Sequence, residues 1–165
     1  MANVSERPLN EKILAGLRAC ADDALGVLAA RDKVSDPKAV IEAIDAFVYG
    51  WQKGKKPAPD VLAQEDAPEI MGSLWGTQLV ARFKWEWTGI VFHDHGDSSA
   101  IGVAAPDRSL VVYPFHFVFG CLQNPNVDCT IALSYNVMND GMLPTQPPKG
   151  YLNLMDHVHR IVPRD

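Results

Sequence analysis

Two histidines and two aspartates crowd into the segment FHDHGD, which spans residues 92–97. Imidazole and carboxylate groups bind transition metals and transfer protons near neutral pH. On a continuing strand His93 and His95 would project from the same face, because side chains alternate with a period of two. That pair could chelate zinc or iron if Asp97 or His116 supplied a third ligand. The segment is therefore a candidate metal or acid–base site.

The same segment is also rich in residues that form turns. Gly96 can adopt a positive φ, and the side chains of Asp94 and Asp97 can bond to nearby backbone groups. On this interpretation FHDHGD is the end of a strand and the start of a turn, with its histidines in water. We favour the turn over a metal or acid–base site, because such residues occur at many strand ends.

Gly89 decides which face His93 would occupy. A glycine inside a strand often marks a bulge, which exchanges the two faces of the strand beyond it. Without a bulge, His93 would share a face with the tryptophans of the WEW segment. We expect a bulge, because it would bury Ile90 and Phe92 beside those tryptophans and remove more apolar area from water.

Large aromatic side chains offer a second kind of candidate site. Trp85 and Trp87 lie on one face of a predicted strand, and Phe119 lies in the phenylalanine-rich segment after Pro114. They could line a small-ligand pocket between the helices and the sheet, or form a surface for a protein partner. His116 lies in the same segment, where we expect a partly buried ring bonded to a carbonyl, with an acid–base role as the alternative.

Stronger catalytic signatures are absent from the sequence. It contains no P-loop, Rossmann glycine fingerprint, H-E-x-x-H or EF-hand loop. The GSLWG segment is not a nucleophile elbow, because Ser73 follows the first glycine directly and no strand precedes it. Gly72 and Gly76 instead predict a patch without side chains, where another backbone approaches a helix closely. We lean away from an enzyme and expect no cofactor.

Three helices are predicted in the first half of the chain. Apolar residues recur every three or four positions from Leu9 to Leu28. A second helix begins at Asp36–Pro37, a capping residue followed by proline, and fades at Gly54. A third helix is predicted from about Pro68 to Phe83. Residues 54–59, rich in Gly and Pro, are the best candidate for a linker.

After these helices the apolar period changes to two. The pattern predicts four strands, at residues 83–92, 99–105, 109–113 and 129–135. A short helix is predicted after Pro114, a loop at 138–150 and a final short helix at 154–161. We therefore expect one α+β domain over residues 1–165, in which the helical part (1–56) packs on one face of a four-stranded, mainly antiparallel sheet (within 60–165).

Composition and charge constrain the partners. The formal net charge is −5 and the pI is about 5.5, which argues against binding to nucleic acid or anionic membranes. Neither an export signal nor a membrane-spanning run is visible. The cysteines, Cys20, Cys121 and Cys129, are expected to be reduced thiols in a cytoplasm, with a Cys121–Cys129 bridge as the alternative.

One part of the chain resembles a known family. Residues from about Met71 to Asn136 contain GSLWG, WEW and PDRSLVVYPFHFV in that order, and they resemble a bacterial domain family of unknown function. The resemblance implies an α+β fold and bacterial origin but no activity. We favour a small non-enzymatic interaction domain that binds a protein partner or self-associates. The alternatives are a small-ligand-binding domain and a metal-dependent enzyme using His93 and His95.

Overall fold

The computed structural model describes residues 3–164. Within that range the chain forms five α-helices and five β-strands. The strands are β1 (Val4–Arg7), β2 (Glu86–Phe92), β3 (Ser98–Ala104), β4 (Leu110–Val112) and β5 (Leu152–Asn153). The helices are α1 (Glu11–Val27), α2 (Pro37–Gln52), α3 (Ala67–Phe83), α4 (Pro114–Gln123) and α5 (Ile131–Asn139). Short 3-10 turns occupy Arg31–Lys33, His93–His95 and Leu154–His157.

The first three helices form where the apolar spacing predicts them. The Asn10 side chain caps α1 by accepting the Ile13 N–H at 2.9 Å, and Asp36 caps α2 by accepting the Ala39 N–H at 3.2 Å. Such caps satisfy backbone donors that have no partner within the helix. Helix α3 ends at Phe83, and the next residue, Lys84, adopts a left-handed φ of 62°. The predicted short helix after Pro114 is also confirmed, as α4.

The sheet differs from the expected four mainly antiparallel strands. In residues 3–164 it has five strands in the order β1-β2-β3-β4-β5, and β5 runs parallel to β4 while the other neighbours are antiparallel. The coarser prediction of an α+β fold with helices packed on the sheet is confirmed. The sequence pattern misses β1 and β5 because each is short and carries a single apolar residue.

The fourth predicted strand, residues 129–135, is wrong: most of it is the start of α5. The buried apolar side chains of this helix are Ile131, Tyr135 and Met138, whose spacing of four and three is helical. Leu133, which a strand would turn inward, is only half-buried. The buried carboxylate of Asp45 on α2 accepts the Ala132 N–H at 3.0 Å, so a group distant in the chain supports the first turn of this helix.

The predicted bulge at Gly89 is also wrong. Gly89 pairs in continuous register with Arg7 on β1 and Ile101 on β3. A Cβ at this position would lie 2.9 Å from the Arg7 carbonyl oxygen, so the glycine permits close approach of β1 rather than a change of face. Ile90 is still fully buried, because it belongs to a second small core on the sheet face opposite the helices.

The glycine patch on α3 is confirmed as a packing surface. A Cβ at Gly72 would lie 3.0 Å from the Phe115 backbone nitrogen, and a Cβ at Gly76 would overlap the Trp87 indole. The chain at the start of α4 and the indole of β2 therefore pack directly on the helix. This contact joins α3 to both α4 and the sheet, within the main hydrophobic core.

The remaining predictions concern the C-terminal region and the membrane. The final helix is shorter than the predicted 154–161, since only Leu154–His157 forms a 3-10 turn. Residues 140–150 form turns and loop as predicted, although α5 extends to Asn139. Within residues 3–164, no helix combines the length and apolar character that crossing a bilayer requires.

Candidate functional site

The segment FHDHGD lies where β2 turns back into β3. Strand β2 ends at Phe92, and His93–His95 form one 3-10 turn. Gly96 and Asp97 adopt φ values of 66° and 57°, which reverse the chain direction before β3. All four ionisable side chains of the segment are exposed. The prediction of a strand end followed by a turn with solvated histidines is confirmed, although the strand has no bulge.

Both ring nitrogens of His93 have hydrogen-bond partners. Nε2 lies 2.9 Å from Ser5 Oγ, and Nδ1 lies 2.6 Å from Asp97 Oδ1. An ionised carboxylate only accepts hydrogen bonds, so Nδ1 carries a hydrogen, and in the neutral ring Nε2 then accepts from the Ser5 hydroxyl. Asn3 ties the turn to β1, because its carbonyl accepts the His93 N–H at 3.0 Å and its amide donates to Asp94 at 3.1 Å.

The four predicted metal ligands are not gathered at one point. His93 and Asp97 contact each other, His95 lies exposed in the same turn, and His116 lies on α4. Among residues 3–164, no group of three or more His, Cys, Asp and Glu side chains is arranged to hold a metal ion. A metal at His93 would displace Ser5 or Asp97, so metal binding stays a prediction.

Ser5 is the residue at this turn that sequence reasoning misses. It lies on β1, opposite Val91 of β2, and reaches His93 only because the two strands pair. The segment VSER has one apolar residue and is followed directly by Pro8, so it carries little strand signal. No apolar alternation marks the segment as a strand, because Ser5, Glu6 and Arg7 are all polar.

An apolar groove lies between α1, α3, α4 and β3. Its volume is about 700 Å³. The side chains of Phe119 and Ile13 are 51% and 39% exposed, so the groove is open to solvent. Its apolar wall consists of Ile13, Leu17, Pro68, Ile101, Phe115 and Phe119.

The position of Phe115 in this wall depends on two contacts. The missing side chain at Gly72 lets the Phe115 backbone approach α3. The Trp87 ring then stacks on the Phe115 ring, with 5.7 Å between centroids and 22° between planes. Residues of the helical half and of the sheet therefore set the shape of the groove together.

Polar residues line the groove just before α3, in its first turn and on α4. These residues are Glu65, Glu69 and His116. His116 is exposed, so the expectation of a partly buried ring is wrong. No cation among residues 3–164 lies within ion-pair distance of either carboxylate. Burial, with the negative charges of Glu69 and Asp23, raises the pKa of the nearby Cys20 thiol. That thiol is a poor nucleophile, because little thiolate forms at neutral pH.

The three predicted aromatic surface residues do not share one pocket. Phe119 lines the groove. Trp85 is buried and Trp87 is half-buried, and both line a smaller cavity of about 390 Å³ with Leu14 and Thr77. Trp87 is connected to the groove only through its stacking on Phe115.

No relative supplies a role for the groove or the turn. Comparisons with protein-family models, curated proteins and solved structures found no match for this chain. Its function is therefore inferred from the side chains and geometry of these two sites.

Proposed function

We propose that this protein binds a small amphipathic molecule with an apolar body and a cationic group, in the groove between α1, α3, α4 and β3. The observation that carries the proposal is an open, mostly apolar groove of about 700 Å³ whose lining includes two glutamates, Glu65 and Glu69. Small-molecule sites typically enclose about 300–1,000 Å³, with mostly apolar walls and a few polar groups.

The apolar wall supports the first half of this ligand description. Phe119 and Ile13 each expose more than a third of their surface at the groove. Covering apolar surface contributes about 25 cal/mol for each Å² removed from water. A chain or ring lying against Phe115 and Phe119 therefore gains binding free energy without any change of the fold.

The charges support the second half. Glu65 lies two residues before α3 and Glu69 lies in its first turn, and neither has a cationic partner among the described residues. A ligand ammonium group beside them gains a charge-assisted hydrogen bond, whereas a ligand carboxylate is repelled. His116 adds ring nitrogens that accept or donate a further hydrogen bond.

Three probes with the same alkyl chain test the proposal: n-octylamine, n-octanol and octanoate. We expect n-octylamine to raise Tm most and octanoate least, with calorimetry giving the same order of affinity. Octanoate binding as tightly as n-octylamine would contradict the proposed charge preference. Absence of any binding by all three would contradict the groove as a site for such ligands.

Matched variants locate the binding. Phe119→Ser should weaken n-octylamine binding, whereas Met142→Ser should not, because Met142 is a similarly exposed apolar residue outside the groove. Glu69→Gln should reduce the preference for the amine over the alcohol by roughly fivefold at most, as expected for a solvent-exposed ion pair. An unchanged preference in Glu69→Gln would place the amine elsewhere.

A second candidate function is binding to a protein partner or self-association. The exposure of Phe119 and Ile13 at one opening favours it, because contiguous apolar surface marks many interfaces. Light scattering tests self-association: a dimer that dissociates in Phe119→Ser would support it. A monomer at all concentrations, with n-octylamine bound, would leave ligand binding as the function.

A further inference from the structure

The contacts of His93 join a hydroxyl, an imidazole and a carboxylate in one chain. Ser5 Oγ meets Nε2 at 2.9 Å, and Asp97 Oδ1 meets Nδ1 at 2.6 Å. In this order the carboxylate fixes the tautomer that leaves Nε2 free to accept the serine proton. The same arrangement on other folds makes a serine nucleophilic.

The local fold holds these three groups in place. Ser5 is fixed by the pairing of β1 with β2. Its partner in that register is Val91, two residues before His93. Asp97 reaches back to His93 because Gly96 and Asp97 adopt left-handed backbone conformations. Asn3, directly before β1, accepts the His93 N–H and donates its side-chain amide to Asp94, which connects the turn to the start of this strand.

The outer edge of β1 offers a donor for a developing oxyanion. Backbone hydrogen bonds of antiparallel strands alternate along the pair. Asn3 and His93 are bonded to each other, so the register assigns the next bonded pair to Ser5 and Val91. The N–H of Glu6, the residue after Ser5, therefore faces the open edge of the sheet, where a substrate carbonyl can approach it.

We propose that Ser5 and His93 are the catalytic residues, and Asp97 the positioning residue, of a site that hydrolyses small acyl esters. The side chains of His93 and Asp97 are 39% and 73% exposed, so the site accepts a small acyl group without a deep pocket. This site is separate from the groove, and its test does not depend on the proposed ligand.

The reaction needs only the ester and water. Ser5 Oγ attacks the acyl carbon while its proton passes to His93 Nε2. The carbon–oxygen bond to the alcohol breaks, and the alcohol leaves with that proton. Water then attacks the acyl carbon and gives a proton to Nε2. The bond between the acyl group and Ser5 Oγ breaks, the acid leaves, and the proton returns to Ser5.

The experiment uses two probes on the full chain: p-nitrophenyl acetate as substrate and a fluorophosphonate as covalent label. We expect the label on Ser5 by peptide mass spectrometry, and acetate release that falls about 100-fold or more in Ser5→Ala and His93→Gln. Ser99→Ala is the matched control. Ser99 on β3 pairs with Val91 across β2 from Ser5, and it is also exposed. This variant should keep both the covalent labelling of Ser5 and the hydrolysis of p-nitrophenyl acetate.

Asp97→Asn tests the positioning role. It should slow hydrolysis and change the pH profile, because the amide no longer fixes the histidine tautomer. Circular dichroism and Tm check that each variant folds. No label on Ser5 in the folded wild-type chain, or equal rates in Ser5→Ala and Ser99→Ala, would overturn the proposal and leave the contacts as a tie between β1 and the turn.

Discussion

At the level of single residues, the packing of α3 against β2 depends on the missing side chain at Gly76. A Cβ at Gly76 would overlap the Trp87 indole. We expect Gly76→Ala to lower the free energy of unfolding by about 1–3 kcal/mol, because the indole or the helix must move. Urea unfolding measures this. In the control, Gly120→Ala, a Cβ meets nothing within 4 Å, so that helical variant should be stabilised by about 0.5–1 kcal/mol. Equal effects would contradict the prediction.

The indole on the other side of that contact gives a second prediction. Trp87 packs on Gly76, pairs with Val103 of β3 and stacks on Phe115. Trp87→Ala should lower the free energy of unfolding by about 3 kcal/mol, the lower end for a core tryptophan, since the ring is half-buried. Val61→Ala, at a 61% exposed position, is the control. A loss under about 1 kcal/mol would place the indole at the surface.

Between elements, a buried ion pair connects the C-terminal segment to α2 and α5. Asp45 is 3% exposed, and its carboxylate accepts from Arg164 Nη1 at 2.6 Å and from the Ala132 N–H at 3.0 Å. Arg164→Met should lower the free energy of unfolding by roughly 3 kcal/mol, because it leaves a buried carboxylate without its cation.

A second substitution separates charge from packing at this pair. Adding Asp45→Asn to Arg164→Met should recover part of the loss, because the remaining buried group is then neutral. Arg18→Met is the control, since Arg18 pairs with Glu11 at the surface and should change stability by less than about 1 kcal/mol. Equal losses in the two arginine variants would show that Asp45 does not need its partner.

The elements also show what a sequence pattern can and cannot predict. Helices α1, α2 and α3 follow from local apolar spacing and capping residues, which act within a few positions. Residues 129–135 fit both a strand and a helix over so short a length. In the structure the first turn of α5 is supported by Asp45, 87 residues before Ala132. No local pattern contains that contact, so the prediction of a strand there is wrong.

For the molecule as a whole, pairing between distant segments decides where chemistry can occur. The sequence identifies His93 and Asp97 as a candidate site because they are neighbours in the chain. Ser5 joins them only through the pairing of β1 with β2, 88 positions away. Likewise Phe119 is recognisable as a candidate from the sequence, but the groove requires α1, α3, α4 and β3 to pack together.

The packing of the sheet on both faces gives a last prediction. On the face opposite the helices, Tyr113 covers Ile90, Ala104 and Val111. Burial, with the nearby Tyr151, raises the pKa of Tyr113 from its ordinary value of 10 to about 12. Between these two values the unfolded chain has lost the phenolic proton and the folded chain has kept it. Stability therefore falls as the pH rises from 10 to about 12.

Comparison with Tyr113→Phe isolates this contribution. Over that pH range the wild type should lose more stability in urea unfolding than the variant does, because the variant has no phenol to ionise. Tyrosinate absorbance should also show one tyrosine that ionises near pH 12 and is missing from Tyr113→Phe. If the substitution instead removes a tyrosine that ionises near pH 10, the phenol is in water. The second face of the sheet would then be open rather than covered.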